Sequence, residues 1–123
     1  MRSRTLEAYK AKLVLNDVQR EVLVGLLLGD GHIEQPYITP RARLKVEQQA
    51  AKREYVEWLY DIYRDWVRSD IRSMTKTLKT TGRSHQCYGF TTYSHEDFMP
   101  YRHLFYEGRK KVVPNNIDDL LTS

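Results

Sequence analysis

Two groups of side chains in this sequence are placed to do chemistry. Arg41, Arg43 and Lys45 stand at alternate positions of the segment 41–49, with Glu47 continuing the spacing. In an extended chain that spacing puts all of them on one face. Like charges so arranged repel, so they add nothing to folding. A row of guanidinium and ammonium groups suits a polyanion, and Arg reads guanine edges bidentately. Arg72, Lys76, Lys79 and Arg83 extend the basic set, with Tyr88, Thr91, Thr92 and Tyr93 as hydrogen-bonding companions. The plainer reading is that these cations keep a strand edge from pairing with other chains.

The second group centres on Asp30, in Gly29-Asp30-Gly31 at the end of an apolar run. A carboxylate at a helix C-terminus faces the negative end of the dipole, unfavourable by about 0.3–1 kcal/mol when exposed. Gly25 and Gly29, four apart, fall on one side of the same helix, and each interior Gly costs it about 1 kcal/mol relative to Ala. Such a pair is useful where another backbone approaches closely. If that backbone is a symmetric copy, two Asp30 carboxylates converge and need protons or divalent cations between them. A phosphodiester lying over that point would complete a metal-assisted hydrolysis site. Taken alone, Asp30-Gly31 reads equally as a cap leading into a turn, with Gly29 belonging to the helix end.

The elements that must carry these groups follow from periodicity. Segment 6–15 predicts a short, weakly amphipathic helix. Asn16 and Gln19 have capping-box spacing, and Val18, Val22, Leu23, Leu26 and Leu27 predict a helix over 17–29 that is buried nearly all round at its end. A short strand is expected at 31–35, followed by a turn between Pro36 and Pro40. Period-two alternation over 41–49 makes a strand with Ala42, Leu44 and Val46 inward. Tyr55, Trp58, Leu59, Ile62, Tyr63 and Trp66 form an apolar stripe on a helix over 51–67. Strands at 71–79 and 86–94 flank a loop at Gly82-Arg83-Ser84. A helix over 96–107 follows, capped by Ser94, stopped by Gly108 and burying Phe98, Tyr101, Leu104 and Phe105; a turn and helical stub end the tail. The order gives an α+β layer, one antiparallel sheet with helices on one face.

Composition bounds the alternatives. The chain has 123 residues, 20 Lys+Arg against 16 Asp+Glu, and a net charge of +4. That is the size of one domain, with 41% hydrophobic residues to build a core, which excludes disordered and low-complexity classes. A pI near 9.2 agrees with a polyanionic partner. One cysteine, Cys87, excludes an intrachain disulfide framework and a Cys-based zinc site. Cys87 reads as a small core or sheet residue. His32, His85, His95 and His103 lack metal-ligand spacing, although His32, next to Asp30-Gly31, is placed to face a nucleic acid or simply solvent. The apolar run 22–28 is far too short to cross a bilayer, for which about 20 residues are needed, and no targeting signal stands at the N-terminus. An intracellular location, cytoplasmic or organellar, with no membrane partner, is the expectation.

The nonapeptide 23–31, Leu-Val-Gly-Leu-Leu-Leu-Gly-Asp-Gly, resembles the LAGLIDADG motif of homing endonucleases, matching at Leu23, Gly25, Leu26, Asp30 and Gly31, with Gly29 in place of the usual Ala or Asp. The strand 43–47 running into Lys52-Arg-Glu-Tyr, and Lys110-Lys-Val-Val-Pro-Asn-Asn, resemble the branch of that family whose motif reads GLLLGDG. The resemblance covers essentially the whole chain, 1–123, as one αββαββα core with a four-stranded antiparallel sheet and helices on one face. It implies a metal-dependent endonuclease that cuts double-stranded DNA at a long target, leaving short 3′ overhangs. Asp30 would be the metal-binding acid, the backbone carbonyl of Gly29 a further ligand for Mg2+ or Mn2+, Lys111 the active-site lysine, and Glu47 a polar residue near the metal-bound water. Read without the family, Lys110-Lys111 is a solvated turn. His32, Glu34, Arg41, Arg43, Lys45, Arg72, Lys76, Lys79, Arg83, Tyr88, Thr92 and Tyr93 would face DNA.

Single-chain members of this branch carry a second motif soon after the segment resembling 115–122, whereas this sequence ends at Ser123. One core carries one acid and cutting both strands takes two. A homodimer through Leu23, Gly25, Leu26 and Gly29 is therefore expected, the alternative being one half of a longer protein. A strand of about nine residues spans about 30 Å, or roughly nine base pairs per subunit, so the target would be a pseudo-palindrome of about 18–24 base pairs. The competing readings are a non-cleaving regulator of the same fold that binds DNA, a maturase that binds intron RNA, and a structural domain with a dimerising helix and no nucleic acid.

Overall fold

The computed structural model describes residues 4–29, 31–35 and 39–114. Asp30, Pro36 and the tail 115–123, all used in the sequence reading, lie outside the described residues. Helix α1 (Arg4–Ala11) leads into α2 (Asp17–Leu28), then β1 (His32–Glu34), β2 (Arg43–Gln49), α3 (Arg53–Ile62), β3 (Arg72–Thr77), β4 (Ser84–Thr91) and α4 (Met99–Phe105). A two-stranded hairpin, β5 (Tyr106–Glu107) and β6 (Lys110–Lys111), follows. Strands β1 to β4 form one antiparallel sheet in the order β1-β2-β4-β3. Helices cover one face of it, as the periodicity predicts.

The start of α2 is fixed locally. The Asn16 side chain accepts from the Gln19 amide at 2.8 Å, and the Gln19 side chain accepts from the Asn16 amide at 2.9 Å, the reciprocal capping box that supplies two otherwise unpaired helix donors. Gln19 is buried and also ties helices together: its Nε2 donates to the Ile62 carbonyl, and its own carbonyl accepts from the Tyr63 hydroxyl. Leu23, Val24, Leu26 and Leu27 of α2 join Ile33, Leu44, Val46 and Phe90 of the sheet, Val56, Leu59, Tyr63 and Trp66 of the α3 region, and Phe98 and Phe105 at the two ends of α4 in one core.

Four expectations are corrected. The apolar arc of α3 is wider than the sheet can cover, so Val56 is buried while Tyr55 and Trp58 are 41% and 54% exposed and stack on each other. Helix α2 is not buried all round: Val18 and Leu28 are exposed. Ser94 is not the cap of the last helix; the His95 imidazole accepts from the Asp97 amide, and one turn of 3-10 helix precedes α4. That helix ends at Phe105, not at Gly108, which has φ of +63° in the β5–β6 turn, the left-handed region that glycine enters without steric cost.

Candidate nucleic-acid interface and active site

The end of α2 turns sharply onto β1. The amides of Gly29 and Gly31 both donate to the Leu26 carbonyl, at 3.0 and 2.8 Å. A β-carbon at Gly31 would lie 2.8 Å from that of Leu26, so only glycine fits the return. On the far side of the turn, Lys111 Nζ donates to the Gly29 carbonyl at 2.7 Å and to the Gly31 carbonyl at 2.6 Å. The two carbonyls that flank Asp30 in sequence therefore converge on one ammonium.

Arg102 and Tyr106 bring that ammonium there. The Tyr106 hydroxyl accepts from the Ile33 amide at 2.9 Å, and Arg102 donates to the Ile33 carbonyl at 2.8 Å and the Gly108 carbonyl at 2.9 Å. The Arg102 guanidinium lies 4.2 Å from the centre of the Tyr106 ring. Tyr106 pairs with Lys111 across the hairpin. Helix α4 and the hairpin are thus pinned to β1, and Lys111 is held against the turn. Neither Arg102 nor Tyr106 was singled out in the sequence; their work depends on a contact with β1 that no local pattern announces.

Hard oxygen donors already gathered round a cation are the donor set that Mg2+ or Mn2+ prefers, so the turn fits such an ion. Among the described residues no three His, Cys, Asp or Glu side chains stand together to hold a metal.

The uncovered face of the sheet carries His32 and Glu34 of β1, Arg43, Lys45, Glu47 and Gln49 of β2, His85, Cys87, Gly89 and Thr91 of β4, and Arg72, Met74 and Lys76 of β3. Much of this set lines a groove of about 630 Å³. The cations alternate with acids. Glu34 accepts from Arg43 Nε at 3.0 Å and lies 3.8 Å from Lys45 Nζ, while Glu47 pairs with Lys76. The hydrogen bond from Lys76 to Glu47 holds that ammonium above its ordinary range.

Six of the twelve residues assigned to DNA, namely His32, Glu34, Arg43, Lys45, Arg72 and Lys76, share this face. Lys79 and Arg83 are exposed at the β3–β4 turn. The remaining four do not belong to it. Tyr88 points to the helical face, where Arg53 stacks on its ring at 4.8 Å; two positions from buried Phe90 in β4, it lies on the same side of the strand. Thr92 is buried and its hydroxyl accepts from the Leu44 amide. Tyr93 packs edge-on against Tyr9. Arg41 turns away from the sheet to pair with Glu7 of α1 at 3.3 Å. For Arg41, Thr92 and Tyr93 a neighbour remote in sequence recruits the side chain. Conversely, His85, Cys87 and Gln49, none of them assigned to DNA from the sequence, line the groove, where strand parity places them.

The proposed interface residues also divide. Leu23 and Leu26 are buried in the chain's own core, at 0% and 5% exposure, because they face the sheet. Gly25 and Gly29 are exposed, and a β-carbon on Gly25 would meet nothing within 4 Å. Val18 and Leu28 lie on the same exposed side of α2.

A profile of the LAGLIDADG DNA endonuclease family matches residues 20–123. The chain belongs to that family. The homing endonuclease I-WcaI, solved bound to its DNA recognition sequence, superposes with a TM-score of 0.83 at 22% identity, covering 94% of this chain and 50% of that one; the likeness establishes the family fold. The cytochrome b mRNA maturase bI2 of Debaryomyces hansenii is 25% identical over 104 residues, 83% of this chain and 40% of its own length. The chain thus spans half or less of these relatives. No helix among the described residues is long and apolar enough to cross a membrane.

Proposed function

We propose that this chain is a site-specific endonuclease that hydrolyses phosphodiester bonds of double-stranded DNA, acting as a homodimer through the exposed face of α2. The observation that carries this reading is the Lys111 clamp on the carbonyls of Gly29 and Gly31, at the end of a glycine-notched helix and beside a basic sheet face. Asp30 and the Gly29 carbonyl would hold Mg2+ or Mn2+, which when bound lowers the pKa of a water molecule and polarises the phosphate.

The chain's own residues do the rest. Arg43, Lys45, Arg72 and Lys76 hold the duplex against the sheet. Lys111 keeps a positive charge beside the scissile phosphate, and Glu47 keeps Lys76 on the face. The Gly25–Gly29 side of α2 lets a second copy approach, so that one acid serves each strand. Strand β2 has seven residues, which at about 3.3 Å each is about 23 Å, or about seven base pairs per chain. This is shorter than the strand read from sequence alone and implies a correspondingly shorter directly read target.

The deciding experiment is Asp30→Asn assayed on plasmid carrying the target, with Mg2+ or EDTA. Cleavage should vanish while binding persists; cutting at the wild-type rate would exclude Asp30 as the acid.

The maturase from Debaryomyces hansenii supports a second reading, in which the same fold assists splicing of intron RNA without cutting DNA. Tight binding to intron RNA, with plasmid left intact in Mg2+, would favour it, and intact plasmid with DNA binding alone would indicate a regulator. An intracellular setting, cytoplasmic or organellar, goes with each of these.

A further inference from the structure

Glu34 is a carboxylate on the face that carries Arg43, Lys45, Arg72 and Lys76, and it is not there as a lone charge. Strand β1 pairs Glu34 with Arg43 and His32 with Lys45, so Glu34 stands between two cations on the adjacent strand. One carboxylate oxygen accepts from Arg43 Nε at 3.0 Å, and the other lies 3.8 Å from Lys45 Nζ. All three side chains are between 36% and 41% exposed.

A guanidinium has five N–H donors in a planar fork. With Nε–H engaged by Glu34, the two terminal Nη groups remain, and they make no hydrogen bond to any described residue. A planar pair of donors is the arrangement that meets O6 and N7 of guanine. Without the carboxylate, Arg43 and Lys45 would repel each other across two positions of one face, and each would be better placed on a phosphate, which carries no sequence information.

Resting on the DNA-binding reading above, we propose that Glu34 is a specificity-determining positioning residue: its hydrogen bond to Nε presents Arg43 end-on to the major groove and so selects guanine at one base pair. Glu34 itself touches no base. Its effect passes through Arg43, and the carboxylate tempers the unspecific pull of Lys45 on the phosphate backbone.

The test selects bound sequences from a random duplex pool with the full-length chain, followed by equilibrium competition at several salt concentrations. Wild type, Glu34→Ala, Glu34→Gln, Arg43→Ala and the double Ala variant are compared, circular dichroism confirming that each folds. A guanine preference of about 5- to 150-fold should fall to near parity at the same base pair in Glu34→Ala and Arg43→Ala. The double variant should be no worse there than either single one. Glu34→Gln keeps an acceptor for Nε and should keep most of the preference. Affinity for unrelated DNA should rise in Glu34→Ala, with the salt slope steeper by about one phosphate contact. Losses at different base pairs, additive losses, or a Gln variant as unspecific as the Ala variant would each overturn the assignment. Wild-type protein that enriches no sequence at all would reject the DNA-recognition reading itself, and this inference with it.

Discussion

Lys111 gathers two backbone carbonyls that point the same way at the end of a helix, where the helix dipole already concentrates negative potential. Replacing it by Met removes both donors while keeping the side chain's bulk. If Lys111 supports charge on the phosphate, cleavage should fall by about 10²–10³ with DNA binding little changed, and urea titration should show a loss of about 0.5–1.5 kcal/mol. Tyr63 offers a test of the core. Burial, then the nearby Tyr101 and Tyr55, push its pKa well above the ordinary value of 10.0, and its hydroxyl donates to the Gln19 carbonyl at 2.6 Å. Because the raised value belongs to the folded chain, the neutral phenol's contribution is complete below pH 10. It is lost as pH rises past 10, where the unfolded chain releases a proton that the folded chain retains. Tyr63→Phe should therefore be less stable by about 1 kcal/mol at pH 7 yet lose less stability between pH 9 and pH 11, read by denaturant titration at each pH.

At the scale of the elements, two glycines make opposite predictions. Gly89 lies in the middle of β4, paired with Glu47 on one side and Arg72 on the other, and a β-carbon there would collide with the Val46 carbonyl oxygen. Gly89→Ala must push β2 and β4 apart, and a loss of about 1–3 kcal/mol in thermal or urea unfolding is expected from such overpacking. A β-carbon at Gly25 would meet nothing within 4 Å among the described residues. Gly25→Ala should raise the stability of the isolated chain by about 1 kcal/mol through helix propensity, while sedimentation at increasing concentration should show weaker self-association if that notch receives a second backbone. Association unchanged by Ala, and by a larger residue such as Leu, would remove the α2 face from the interface. The helices and strands themselves were legible, since the capping box, the alternation in β2 and the basic stripe depend on near neighbours in sequence. The α3 stripe is only partly buried because spacing defines an arc, and only the position of the sheet defines which part of the arc is covered.

For the molecule as a whole, function depends on a face and a partner. Binding that relies on the sheet cations should weaken steeply with salt. Three phosphate contacts per chain give a slope of about +3 in log Kd against log salt, measurable by fluorescence anisotropy, and a flat dependence would argue against any nucleic acid on this face. What the amino-acid order determined unaided is whatever rests on short-range rules: the αββαββα order, the cap at Asn16, the inward set Ala42, Leu44 and Val46, and the nonapeptide that carries the family. The tertiary structure decided how distant segments meet. Lys111 reaches Gly31 across 80 residues, Tyr106 reaches Ile33 across 73, and Thr92 reaches Leu44 across 48. The pull of Arg41 to α1 and of Tyr93 to Tyr9 is of the same kind. Periodicity assigns a residue to a side of its own element, but the group that meets it there is supplied by packing, and packing is a property of the whole chain.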